Sequence, residues 1–180
     1  MGELNRRRVV VTGVGACTSL GLTFEDTWAG LLAGRSGVTR IRRFDPEDYR
    51  TTFAAQVPEF DPSLYFDEPM ADKKLDLFTQ ISIIAAEDCL KSSAIDLDAV
   101  DRERFGCIMG TGIGGITAIE GHHVMMLERG PRRASPHFIP KMMPNAMSGQ
   151  LSIRFGLQGT NFATSSACAS AGHALGIALR

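Results

Sequence analysis

A cysteine set among small residues, at the junction of a strand pattern and a helix pattern, is the position in this sequence best suited to nucleophilic chemistry. The segment Thr164-Ser165-Ser166-Ala167-Cys168-Ala169-Ser170-Ala171-Gly172-His173-Ala174-Leu175-Gly176 follows a strand candidate at 161–166 and runs at once into a helical pattern from 169. This placement predicts the Cys168 sulfur at a helix N-terminus, where free N–H groups and the positive end of the dipole favour thiolate over thiol. Small neighbours let a thioester carbonyl come close to the backbone, and an N–H beside the sulfur would serve as one donor of an oxyanion hole. A packed, inert thiol is the commoner fate of a cysteine. Composition and spacing alone leave the two readings level.

No partner base is apparent. His173 lies five positions beyond Cys168, about 140° around a helix at 100° per residue, so it is expected to point elsewhere as a packed or hydrogen-bonded helix residue. His122 and His123 are adjacent and diverge on a helix, unlike an i, i+4 metal pair, and His137 falls in a proline-rich loop. No metal site is expected. Gly110-Thr111-Gly112-Ile113-Gly114-Gly115 matches GxGxxG after a strand pattern, but a dinucleotide site needs a second strand and an acidic residue about 20 positions on. Here Glu128 leads into Gly130-Pro131-Arg132-Arg133. A tight turn that brings backbone close to a substrate or a neighbouring element is the simpler reading. Two basic pairs, Lys73-Lys74 and Arg132-Arg133, read as solvated faces unless they flank one pocket entrance.

The elements that must position these residues follow from the pattern. Residues 8–12 read as a strand through consecutive valines. Thr23 is a candidate N-cap ahead of Glu25 and Asp26, and Phe24, Trp28, Leu31 and Leu32 recur at helical spacing before Gly34. Residues 36–70 are rich in turns, at Asp45-Pro46, Asp61-Pro62 and Glu68-Pro69, with a short strand at 52–57. A long helix is expected over 72–93, where Leu75, Phe78, Ser82, Ala85 and Cys89 share a face whose small members predict close packing. A buried strand at 105–109 precedes the glycine turn, and a helix follows at 116–128. Residues 130–144 carry four prolines and read as irregular, and a helix over 144–155 ends at Gly156. Strands alternating with helices predict one α/β layered domain with parallel or mixed pairing.

Length and composition bound the function. The 180 residues are 44% hydrophobic, enough for one domain with a core. No run approaches the roughly 18 apolar residues of a membrane helix, and the basic start lacks the roughly 7–15-residue apolar stretch of a secretory signal. Arg6 stands where N-myristoylation needs Ser or Thr. Four dispersed cysteines without a CxxC pair fit reduced thiols, and the cytoplasm is the expected compartment. A net charge of −1 gives no support to nucleic-acid binding.

Four segments, in order and spacing, resemble the β-ketoacyl-[acyl-carrier-protein] synthase II family: Arg8-Val9-Val10-Val11-Thr12-Gly13, Gly110-Thr111-Gly112-Ile113-Gly114-Gly115, Ser135-Pro136-His137-Phe138-Ile139-Pro140 and Ser166-Ala167-Cys168-Ala169-Ser170. The resemblance covers the whole chain. It implies the thiolase-like fold, two α/β halves in an αβαβα arrangement, and a homodimer with the strand at 161–166 at its interface. It assigns Cys168 as the nucleophile that takes an acyl chain from acyl carrier protein, and its N–H as an oxyanion donor. Ile113 matches the gate of the acyl pocket, and Phe138 a position lining that pocket across the dimer. Lys73, Lys74, Arg132 and Arg133 fall where the family docks its acidic carrier protein. The implied reaction joins the acyl group to malonyl-acyl carrier protein by decarboxylative Claisen condensation, with no cofactor. His137 replaces a more usual aromatic residue, and Ala171 a glycine.

Family members are about twice this length, and the resemblance places two histidines, a lysine and a glycine-rich segment in their later half. The pattern at Arg180, a helix without a stop signal, is expected of a truncated N-terminal portion, inactive and poorly soluble alone. Rival readings are a polyketide-type ketosynthase, a thiolase-like acyltransferase using coenzyme A, and a non-catalytic fragment.

Overall fold

A computed structural model of the chain describes residues 8–66 and 74–180. The turn expected at Glu68-Pro69, the first residues of the helix expected from 72, and Lys73 lie outside the described residues.

Helix α1 (Phe24–Leu32) starts where its cap was legible: Thr23 is extended at φ −125° and its hydroxyl accepts from the Asp26 amide at 3.1 Å. Gly34, with φ +64°, follows its end. The apolar stripe, however, is not the packed face. Thr27 and Gly30 are buried, while Trp28 and Leu32 are 52% and 72% exposed.

Strands β1 (Val38–Arg40) and β2 (Phe53–Ala55) form a short antiparallel pair, with Val38 opposite Ala55. β2 lies within the expected 52–57, and β1 was not foreseen. Helix α2 (Leu77–Ser93) begins at an Asp76 cap rather than at 72, because the Asp76 carboxylate accepts from the Phe78 amide.

The expected strand at 8–12 does not form. Val9, Val10 and Val11 are exposed, and no described strand pairs with them. A strand exists only through a partner's ladder, and the segment just beyond is held by α2 side chains instead. Ser92 Oγ accepts from the Val14 amide at 2.9 Å, and Asp88 Oδ2 accepts from the amides of Ala16 and Phe24 at 3.2 and 2.6 Å. The small face of α2 accounts for this close approach: a Cβ on Gly13 would stand 2.5 Å from the Cys89 carbonyl oxygen, and one on Gly15 would run into the Ala85 carbonyl.

The second half of the chain supplies β3 (Cys107–Gly110), α3 (Ile116–Arg129), α4 (Phe138–Met142), α5 (Ala146–Phe155), β4 (Asn161–Thr164) and α6 (Ser170–Ala178). β3 and β4 pair in parallel, Cys107 opposite Asn161 and Gly110 opposite Thr164. Helix α4 corrects the expectation of an irregular stretch from 130 to 144. It is five residues long, too short to leave a periodic signal among prolines. α5 starts at Ala146 and ends at Gly156, which is left-handed at φ +65°. β4 is shorter than the expected 161–166, because its ladder ends where β3 ends.

The core joins α2 to α5 and to β3, with Phe66, Ile83 and Leu151 at its centre and Cys107, Met109 and Phe155 packed around them. The start of β4 is fixed to α5 by Asn161, whose amide donates to the Ser148 carbonyl at 2.8 Å and whose oxygen meets the fully buried Ser148 hydroxyl at 3.1 Å.

Candidate active site

Parallel β3 and β4 deliver two loops side by side at their C-terminal ends. β3 opens into the glycine turn 110–115 and β4 into the cysteine turn 165–169. Polar side chains of the second turn fasten the two together. The Thr111 amide donates to the Thr164 carbonyl at 3.1 Å, carrying the ladder one step further. Ser165 Oγ donates to the Gly112 carbonyl at 3.2 Å, and Ser170 Oγ to the Thr111 carbonyl at 2.9 Å. Thr164 Oγ1 donates to the Ser170 carbonyl at 2.8 Å.

Cys168 sits within this fastening and is exposed, the only exposed cysteine of the four. The chain turns tightly around it: the Ala169 amide donates to the Ser166 carbonyl at 3.0 Å and the Ser170 amide to the Ala167 carbonyl at 3.2 Å. Ala167 adopts φ +47°, a left-handed conformation that costs a non-glycine residue about 1–2 kcal/mol. The turn is supported from below by Ser170, 3% exposed, whose hydroxyl accepts from the Ser166 amide at 2.8 Å. Helix α6 begins two residues after Cys168. Its cap residue, Ala169, supplies no side-chain hydrogen bond, so the positive end of α6 is left to whatever the cysteine turn presents. Among the described residues, no backbone carbonyl accepts from the Cys168 amide.

The remaining cysteines are unsuited to the role. Burial pushes the Cys107 thiol up to about 11 and raises those of Cys17 and Cys89, the last helped by the Asp88 charge. A packed, inert thiol describes these three.

The glycine turn takes its simpler reading. A Cβ on Gly110 would lie 2.5 Å from the Ser170 carbonyl carbon, and one on Gly114, itself at φ +85°, would lie 2.7 Å from the Met142 carbonyl oxygen. These glycines let β3 pass under α6 and let the turn back onto α4, where the Gly115 amide donates to the Met142 carbonyl at 3.1 Å. Ile113, 61% exposed, stands on the turn between those two contacts. Phe138 opens α4 and is half-buried, with its ring stacked on His122 of α3 at 3.9 Å and 11°. The structure thus brings Cys168 and Ile113 onto one pair of fastened turns, with the helix that carries Phe138 packed against the glycine turn.

Of the two basic pairs, Lys74, Arg132 and Arg133 lie within the described residues. Lys74 is half-buried beside the Asp76 cap, and Asp76 also bonds the first turn of α3. Arg132 and Arg133 are exposed in a short turn just past the other end of α3. The 14-residue helix between them puts the two positions about 20 Å apart. His173 departs from expectation. It is exposed, and with Ser165, Ser166, Gly172 and Ile177 it lines an open groove of about 570 Å³ between β4 and α6. A second cavity of about 390 Å³, around Thr39, Arg42, Arg43 and Gln56, shares no residue with the cysteine turn.

Three residues of this neighbourhood escaped the sequence reading: Ser165 and Ser170, which fasten the turns, and Asp76. The small-residue cluster hid the serines, since a hydroxyl that bonds a carbonyl 59 positions away has no local signal. Among the described residues, no cluster of histidine, cysteine and carboxylate side chains is placed to hold a metal ion, and no helix is long and apolar enough to cross a membrane.

Residues 6–180 match the model of the beta-ketoacyl synthase N-terminal domain. The chain is 41% identical over 177 residues to the 3-oxoacyl-[acyl-carrier-protein] synthase 2 of Vibrio cholerae, covering 98% of this chain and 42% of that protein. Among solved structures it is similar to the ishigamide ketosynthase/chain length factor, with a TM-score of 0.83, 28% identity, and 97% of this chain covered against 44% of the other. It is also similar to a type II polyketide ketosynthase solved with its acyl-carrier protein, with a TM-score of 0.78, 26% identity, and 97% against 47% covered. The chain has the α/β architecture of the thiolase-like ketosynthases and spans about two fifths of the length of the curated relatives it matches.

Proposed function

The chain belongs to the beta-ketoacyl synthase family, carrying its N-terminal domain, and we propose that the full protein condenses an acyl group held on Cys168 with malonyl-acyl carrier protein to give 3-oxoacyl-acyl carrier protein. One observation carries this reading: Cys168 is the exposed thiol, at the apex of a constrained turn just ahead of a helix whose end has no side-chain cap.

In the first half-reaction the Cys168 thiolate attacks the acyl thioester carbonyl. The new C–S bond replaces the bond to the carrier's phosphopantetheine sulfur, which leaves as a thiol after taking up a proton. The Cys168 amide donates to the oxyanion formed at that carbon, a role supported by its having no backbone acceptor among the described residues. In the second half-reaction malonyl-acyl carrier protein loses carbon dioxide, and the electron pair left on the α-carbon attacks the acyl carbonyl. A C–C bond forms, the C–S bond breaks, and Cys168 is returned as thiolate. The groups that assist decarboxylation belong, on the family resemblance, to the part of the protein beyond this chain.

Ile113 is the gate of the acyl pocket and Phe138 lines its wall. Support comes from the fastening of the Ile113 turn to the cysteine turn, and from the packing of that turn on α4. Lys73, Lys74, Arg132 and Arg133 form the docking surface for the acidic carrier protein; Lys74 near the start of α3 and the two arginines past its end are spaced so that a carrier helix can engage both. A homodimer forms through β4, whose edge away from β3 has no strand against it among the described residues. The cytoplasm is the proposed compartment.

Fatty acid elongation is favoured over polyketide synthesis by the higher identity to the 3-oxoacyl-[acyl-carrier-protein] synthase 2 relative, 41%, than to the type II polyketide ketosynthase structure, 26%. The test is a condensation assay on the full-length protein with acyl- and malonyl-acyl carrier protein. Carbon dioxide and a 3-oxoacyl product are expected, and no 3-oxoacyl product from Cys168→Ala. A Cys168→Ala variant that still condenses would remove the assignment, and a product with several successive keto groups would move it to polyketide synthesis.

A further inference from the structure

Asp76 is a buried acid, 8% exposed, placed between two helix starts. One oxygen accepts from the Phe78 amide at 3.2 Å and begins α2. The other accepts from Thr117 Oγ1 at 2.7 Å and from the Ala118 amide at 3.0 Å, in the first turn of α3. Helix α3 has no cap of its own: its cap residue is Gly115, which has no side chain, and its first turn carries no acidic residue. Asp76 therefore supplies from 41 residues away what α3 lacks locally.

This matters because α3 opens directly from the turn that carries Ile113. The front of that turn is fixed to the cysteine turn through Ser165 on Gly112 and Ser170 on Thr111. Its back is fixed at Thr117 and Ala118 by Asp76. Between the two anchors lie Ile113 and the glycine pair 114–115, whose amides donate to Thr111 Oγ1 and to the Met142 carbonyl at 3.1 Å each, and the left-handed Gly114 at φ +85° is where the span can re-aim when its back anchor shifts.

We propose that Asp76 is a specificity-determining positioning residue, which through Thr117 and the first turn of α3 sets where Ile113 stands relative to Cys168. This rests on the reading of Ile113 as the gate of the acyl pocket. Asp76 touches neither the acyl chain nor the reacting atoms; its effect passes through Ile113.

The test uses the full-length protein and compares initial rates of Cys168 acylation by hexanoyl- and palmitoyl-acyl carrier protein. Asp76→Ser keeps a hydroxyl that can start α2 but is too short to reach Thr117. Thr117→Val keeps the shape of that residue and removes the donor, giving a milder second variant. Both are expected to change the palmitoyl-to-hexanoyl rate ratio on the order of tenfold, the size one misplaced apolar contact carries in pocket discrimination. In an Ile113→Ala background neither is expected to change the ratio further. A lowered melting temperature with the ratio constant within about twofold would make Asp76 a structural cap only, and a shift that persists without the Ile113 side chain would remove the route through it. Absence of an acyl adduct on the unmutated protein, or an Ile113→Ala ratio equal to that of the unmutated protein, would overturn the gate reading itself, and neither measurement involves an Asp76 variant.

Discussion

The Ser170 hydroxyl lies 2.9 Å from the Thr111 carbonyl oxygen, so the helix that follows Cys168 and the turn that carries Ile113 are joined by one buried side chain. The same hydroxyl accepts the Ser166 amide and lies 2.7 Å from the Ala167 carbonyl. It offers one proton to two carbonyls, and its place at the centre of three backbone groups is what holds the left-handed Ala167 in place.

Ser170→Ala leaves the Ser166 amide without its acceptor and the two carbonyls without a donor. The expected loss is about 1–3 kcal/mol of unfolding free energy. Chemical denaturation with a constant m-value measures it, and a loss below about 0.5 kcal/mol would show the hydroxyl to be dispensable.

Two glycines should respond with opposite signs. Gly110→Ala pushes a methyl to within 2.5 Å of the Ser170 backbone, where neither chain can give, and is expected to cost about 3 kcal/mol or more. Gly121→Ala, within α3 and with nothing within 4 Å of its added carbon, is expected to stabilise by about 0.5–1 kcal/mol. Thermal unfolding of the two variants checks the pair. Equal effects would contradict the close crossing of β3 under α6.

Thiol chemistry should separate by pH. The thiolate is the reactive form, and burial holds Cys107 up to about 11 and raises Cys17 and Cys89 above their usual value. Iodoacetamide at about pH 8 should therefore mark Cys168 first, with Cys107 joining only as the pH nears 11. The linkage has a definite sign. A thiol that loses its proton less readily when folded adds stability below the unfolded value near 9, and that contribution is lost as the pH rises towards 11. Peptide mapping of the alkylated protein reads the order, and early labelling of Cys107 would contradict its burial.

What was legible in the sequence was local. The Thr23 cap and the left-handed end at Gly156 each depend on residues within one turn, and both stand as expected. The glycine turn and the strand–turn–helix around Cys168 could be read because small residues tolerate only a few backbone arrangements. The failures have a common cause. The valine run at 9–11 has strand propensity, but a ladder is made by a partner that propensity cannot see. Asp76 was not legible: the helix pattern runs back to 72 without marking it as the cap, and its bond to Thr117 joins residues 41 positions apart. The stripe of α1 was read correctly as a helix pattern, yet Thr27 and Gly30 are what it buries. Periodicity fixes the helix but not the face that meets the rest of the described chain.

The direct test of the account is where an acyl group lands. The full-length protein, incubated with palmitoyl-acyl carrier protein and no malonyl donor, should gain the mass of one palmitoyl group. Hydroxylamine should remove it as a thioester, and peptide mapping should place it on Cys168. An adduct on any other residue, or one that persists in Cys168→Ala, would contradict the account.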